Sequence, residues 1–146
     1  MEHTTRIELE NLKDLYAIEL GAITSEDVRR ITIENALVDT GATGLCLPTS
    51  LIHQLGLTPL RNIRAQTAND TIKRTVYSQV KYTVLERSDF ITVTDLPEDA
   101  PVLVGHMILE ALDLCVDIQN GLIYNPAHDG EWMIKILSNT PTATEQ

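Results

Sequence analysis

Residues 28–44 constrain the fold of this chain more than any other stretch. Val28 to Val38 alternates through Ile31 and Ile33 and runs into Ala36-Leu37-Val38, which is the pattern of a β-strand. That strand carries the chain to a carboxylate, Asp39, and Gly41 and Gly44 then punctuate a sharp turn. The triplet Asp39-Thr40-Gly41 occurs once in 146 residues. Read locally, Asp39 is also compatible with a turn aspartate that bonds nearby backbone, Thr40 with a plain turn residue, and Gly41 with a position that needs φ > 0.

The remainder of the chain is built from the same short units. Residues 1–14 are polar and read as a loose start or an edge strand. Leu15 to Ile23 is an apolar run broken by Gly21, and Ser25-Glu26-Asp27 is a turn. Leu45-Cys46-Leu47 is a short strand. Pro48 then suits the first turn of a helix over Ser50 to Leu55, with Leu51, Ile52 and Leu55 on one face and Gly56 as its stop. From Arg61, Ile63, Ala65 and Thr67 alternate with polar residues. Ala68-Asn69-Asp70-Thr71 makes a hairpin turn, and Ile72 to Val84 returns as a strand. Glu86 to Asp89 turns again before the strand Phe90 to Val93. Val102-Leu103-Val104 meets Gly105, His106 to Asp113 reads as a helix, and Leu114 to Ile118 pairs with Leu122 to Tyr124 across Gln119-Asn120-Gly121. Trp132 to Leu137 is a last apolar segment. No boundary or repeat divides the chain, so one mainly β domain over 1–146 is expected, with its core over 15–137 and a polar tail over 138–146.

Composition removes several functions. Aromatic residues are only 4%, so Leu, Ile, Val and Ala must fill the core. The net charge of −10 disfavours a nucleic-acid footprint, which needs clustered positive charge. No stretch approaches the ~20 apolar residues of a membrane span, and no apolar leader follows Met1. A soluble, cytoplasmic protein is the expectation. Cys46 and Cys115 lie among apolar neighbours and read as small buried hydrophobes. They lack the spacing of zinc ligands, as do His3, His53, His106 and His128, so no metal and no cofactor is expected. Asp113 and Asp117 fall across a helix-to-strand change and read as a cap and a surface charge. No Gly-x-Ser-x-Gly occurs for a serine nucleophile.

Three blocks together resemble the retropepsin-like aspartic protease family. The first is Ala36-Leu37-Val38-Asp39-Thr40-Gly41-Ala42-Thr43, similar to the family's active-site loop. The second is Val102-Leu103-Val104-Gly105 followed by a helix, similar to its second signature. The third is the strand–turn–strand between them, with Thr67-Ala68-Asn69-Asp70 where the family places its flap. The match covers roughly residues 15–125. It departs from the family in the flap, because residues 62–80 contain no Gly, and in His106, where Arg often follows the Gly.

The resemblance implies a closed acid-protease barrel of the retropepsin type, with one or two short helices, acting as a homodimer. One Asp-Thr-Gly per chain means that Asp39 must meet its copy across a two-fold axis. The two carboxylates would activate a water against a peptide bond. Thr40 would brace the loops across the interface, and Gly41 would admit substrate backbone. Ala42, Thr43 and the flap residues Ala68, Asn69, Asp70 and Thr71 would contact an extended peptide or protein substrate. The alternative is a catalytically silent dimer of the same fold that binds peptides or serves as a scaffold. A third possibility is cleavage of the chain's own termini.

Overall fold

The computed structural model describes residues 3–126 together with 128, 131–134 and 136. The elements run β1 (His3–Asn11), α1 (Leu12–Glu19), a 3₁₀ turn (Ser25–Asp27), β2 (Arg30–Val38), β3 (Leu45–Pro48), α2 (Thr49–Gln54), β4 (Pro59–Gln66), β5 (Thr71–Val84), β6 (Arg87–Leu96), β7 (Leu103–Val104), α3 (His106–Ala111), β8 (Cys115–Asp117) and β9 (Leu122–Tyr124). Strands pair in the order β1-β2-β7-β3-β6-β5-β4, and β1 pairs again with β5. Six strands therefore close into the expected mainly β barrel. Closure removes the open edges that a sheet of this size would otherwise expose. Strand β4 stands outside the ring, paired to the first half of β5, while β8 and β9 form a separate hairpin.

Alternation along the strands fills the barrel. In β5, Val76, Ser78, Val80, Tyr82 and Val84 are buried in turn. Of these, Val80, Tyr82 and Val84 join Ile7, Leu9, Leu45, Leu47, Val93 and Val104 from other strands, and Ile52, Leu55, Ile108 and Leu112 from the two helices that cap the interior. Each such side chain contributes about 1.5–3 kcal/mol when fully buried.

Of the loose start or edge strand expected over 1–14, β1 is a strand, but not an edge one. It pairs with both β2 and β5 and so closes the barrel. Arg6, Glu8 and Glu10 give it a polar composition, yet they alternate with Ile7, Leu9 and Asn11, which point inward. The core therefore begins ahead of residue 15. Asn11 is 1% exposed, and its Nδ2 donates to the Leu55 carbonyl at 2.7 Å while its Oδ1 accepts from the Asp14 amide at 3.3 Å. It thereby caps α1, a third helix, and ties it to the end of α2. Gly56 ends α2 with φ +65°, tucked under the Arg29 guanidinium, where a Cβ would collide.

The turn expected over Glu86–Asp89 is tighter and earlier. Leu85 and Glu86 form a two-residue loop with φ of 48° and 68°, and Arg87 already pairs with Val84 inside the hairpin. Two positive φ values fit a type I′ turn, which carries no signal when neither residue is Gly or Asn. The cysteines are half-buried rather than enclosed. In β3, Leu45 and Leu47 point into the barrel and leave Cys46 on the opposite face.

Asp113 is more than a helix cap. It has φ +53°, and its Oδ2 accepts from the Met133 amide at 2.8 Å, with His128 Nε2 at 3.2 Å and Arg87 Nη1 at 3.8 Å. Arg87 also donates to the carbonyls of Leu112 and Asp113 at 2.8 and 3.0 Å and lies 5.1 Å beneath the Trp132 ring. This cluster anchors the segment after β9 to α3. Asp117 is a turn residue that accepts from the amides of Gln119 and Asn120 at 3.1 and 3.2 Å. In the apolar segment Trp132 to Leu137, the described residues form no strand or helix. Lys135, Leu137 and the expected polar tail lie outside the described residues.

Candidate active site

Strand β7 places Asp39. It sits between β2, to which it is parallel, and β3, to which it is antiparallel. The Leu37 amide donates to the Val102 carbonyl at 2.8 Å and the Asp39 amide to Val104 at 3.0 Å, so the aspartate begins where the ladder ends. The chain then turns. The Ala42 amide donates to the Asp39 carbonyl at 3.0 Å, and the Gly41 amide donates to Asp39 Oδ1 at 2.9 Å.

Helix α3 braces this loop from below. The first amides of a helix have no partner within it. Here Gly105 donates to Gly44 at 2.8 Å, His106 to Ala42 at 3.0 Å and Met107 to Thr43 at 3.0 Å. The loop carbonyls thus satisfy the helix start, and the helix start fixes the loop. The approach needs Gly105, because a Cβ there would lie 2.5 Å from the Thr43 carbonyl carbon, 2.6 Å from the Gly44 oxygen and 2.7 Å from the Ala42 oxygen. The two blocks singled out in the sequence are therefore one structural unit.

Above the loop, β4 and the start of β5 form a projecting hairpin. Between hairpin and loop runs a cleft of about 590 Å³. Asp39, Gly41, Ala42 and Thr43 lie along its floor. The hairpin contributes residues 63–67 from one arm and Ile72 and Arg74 from the other, and of these Ile63, Ala65, Ile72 and Arg74 are half-buried. Cys46 and Asp95 line the cleft as well. Burial pushes the Cys46 thiol up, with the carboxylates of Asp39 and Asp95 adding to the shift. That shift disfavours the reactive thiolate. Asp95 Oδ1 accepts from the Thr75 amide at 2.9 Å.

The structure brings together four of the nine residues singled out in the sequence. Thr40 is exposed on the loop and does not line the cleft. Ala68, Asn69, Asp70 and Thr71 lie at the exposed hairpin tip and do not reach the lining in a single chain. The tip is closed by Thr67, whose amide and hydroxyl donate to the Asp70 carbonyl at 2.7 and 2.9 Å. The lining falls instead to the arms. The signal for it was the alternation Ile63, Ala65, Thr67, which folding about the turn extends to Ile72 and Arg74 on the same face.

The loop thus presents one carboxylate, partly open, on a braced support at the floor of the cleft. Among the described residues, no group of three or more His, Cys, Asp or Glu side chains lies close enough to hold a metal ion. No described helix is long and apolar enough to cross a membrane.

A family model for aspartyl proteases matches residues 22–105, which span the loop, the hairpin and the β7–Gly105 support. Among solved structures similar to this chain is the solution structure of a protease from simian foamy virus (mac), at 17% identity and a TM-score of 0.43, covering 73% of this chain and 90% of that one. No curated protein matches.

Proposed function

Because this chain belongs to the aspartyl protease family, we propose that it is an aspartic endopeptidase in which two copies of the chain each contribute one Asp39. The observation that carries the reading is the single Asp39 carboxylate, held at a cleft floor by the Gly105 support, with no second Asp-Thr-Gly in the chain. A two-fold axis beside Asp39 completes the site. There the two carboxylates share one proton, since like charges about 3 Å apart cannot both ionise, a behaviour already known for aspartic-protease dyads.

The ionised carboxylate takes a proton from a bound water, which attacks the scissile carbonyl carbon. The protonated one hydrogen-bonds the carbonyl oxygen, and a proton then passes to the leaving nitrogen as the C–N bond breaks. The Gly41 amide on Asp39 Oδ1 fixes the carboxylate's orientation. Thr40, exposed beside it, would bond the partner's loop, and Ala42 and Thr43 would border the substrate backbone. Closure of the hairpin would bring Ala68 to Thr71 over the substrate and exclude water.

A second reading is a silent peptide-binding dimer, and the observation favouring it is the hairpin, which has no Gly in 62–80 and a tip locked by Thr67. Cleavage of a mixed peptide library, followed by mass spectrometry from about pH 4 to 7, separates the two. Endopeptidase chemistry requires cleavage by wild type and none by Asp39→Asn. Binding of library peptides with no cleavage at any pH would replace it with the silent module.

A further inference from the structure

We infer that Arg74 selects substrates by pairing with an acidic side chain, so that the cleft prefers peptides bearing Glu or Asp near the scissile bond. The inference rests on the peptidase reading and names its substrate class. Arg74 stands opposite Ile63 across the hairpin, on the face that looks into the cleft. Its Nε is buried and has no hydrogen-bond partner, and among the described residues no carboxylate pairs with its guanidinium. Arg29 and Arg87, in contrast, are held by Asp14 and by the carbonyls of Leu112 and Asp113.

Arg64 lines the same cleft and, among the described residues, has no carboxylate partner either, but it is exposed, whereas Arg74 is half-buried with its Nε shut off from solvent. A buried guanidinium N–H without an acceptor carries a desolvation cost, which a ligand that supplies one relieves. The two carboxylates that line the cleft do not satisfy it. Asp95 lines the same cleft but accepts from the Thr75 amide, and Asp39 accepts from Gly41. A carboxylate from an extended peptide has the geometry to accept two parallel bonds from the fork, which an amide of the same shape cannot match in charge. The apolar neighbours Ile63, Ala65 and Ile72 keep that pair partly dry and so strengthen it.

The test compares matched synthetic peptides, taken from the library's best-cleaved sequence, with Glu, Gln or Lys at the position most enriched in acids. Wild type should cleave the Glu peptide about tenfold more efficiently in kcat/KM than the Gln peptide, a ratio typical of one charge-assisted contact. Arg74→Gln should bring that ratio to near one, and Arg74→Glu should turn the preference toward Lys. Fluorescence anisotropy of the same peptides on Asp39→Asn, alone and combined with Arg74→Gln, reads the preference without turnover. Turnover with no Glu preference, or a preference that survives Arg74→Gln, would overturn the role of Arg74 and leave the peptidase standing. A Glu preference in binding that Arg74→Gln removes, with no turnover by wild type, would do the reverse.

Discussion

Replacing Gly105 with Ala tests the claim that helix α3 holds the Asp39 loop in place. The added methyl would meet the Thr43 carbonyl carbon at 2.5 Å, the Gly44 oxygen at 2.6 Å and the Ala42 oxygen at 2.7 Å. All three are backbone atoms, so no side-chain rotation relieves the overlap and loop and helix must part. Overpacking of this kind costs about 1–3 kcal/mol. Parting also strains the bonds from Gly105, His106 and Met107 to the loop, at 2.8, 3.0 and 3.0 Å. Losing one or two of them adds about 0.5–1.5 kcal/mol each, for a total of about 1.5–6 kcal/mol against a usual domain stability of about 5–15 kcal/mol. With a urea m-value of about 2 kcal/mol/M, the unfolding midpoint should fall by about 0.8–3 M. Far-UV circular dichroism in urea at one fixed protein concentration measures it, because dimerisation makes stability concentration-dependent. A midpoint within about 0.2 M of wild type would refute the bracing role.

Other perturbations follow from named contacts. Arg87→Met leaves the carbonyls of Leu112 and Asp113 without their donor and removes the cation under Trp132, so it should cost about 2–4 kcal/mol and shift the emission of the chain's single tryptophan. An unchanged emission spectrum would show that Arg87 does not anchor that segment. The Arg29 side chain, hydrogen-bonded to Asp14, holds the Asp14 carboxyl below its ordinary value, against the opposing effect of burial. With the folded pKa depressed, the unfolded chain takes up the proton first as pH falls. The stabilisation is therefore present above about pH 4 and is lost as pH drops through the folded value. Asp14→Asn should flatten the acid side of the stability–pH curve, and an unaltered slope between about pH 5 and 2 would contradict the pairing. Leu85→Asn combined with Glu86→Gly places favoured residues at two positive φ angles and should raise the melting temperature, by about 0.5–1 kcal/mol in stability. A lower melting temperature would mean that the loop is not the type I′ turn described.

Much of the site could be read from the sequence because it is local. An alternating strand, a carboxylate and two glycines lie within residues 28–44, and the apolar triplet before Gly105 supplies the support. What stayed hidden depends on partners far along the chain. Charges at Arg6, Glu8 and Glu10 masked β1, whose inward residues reveal themselves only once β2 and β5 flank them. Arg87 and Asp113 are 26 residues apart and meet through the fold alone. The cleft lining followed the arms of the hairpin rather than its tip, since the arms run alongside the floor while the tip at 68–71 extends past it. Cys46 turned toward the cleft for the same reason, lying between two residues that fill the core.

Subunit mixing measures most directly whether two Asp39 carboxylates make one active site. Wild type is titrated with Asp39→Asn under conditions that allow subunit exchange, and peptidase activity is expressed per wild-type chain. Random pairing leaves active only those dimers with two wild-type chains, so activity per wild-type chain should fall in proportion to the wild-type fraction, to about half in an equimolar mixture. Activity per wild-type chain that stays constant across the titration, or cleavage by Asp39→Asn alone, would contradict the shared dyad.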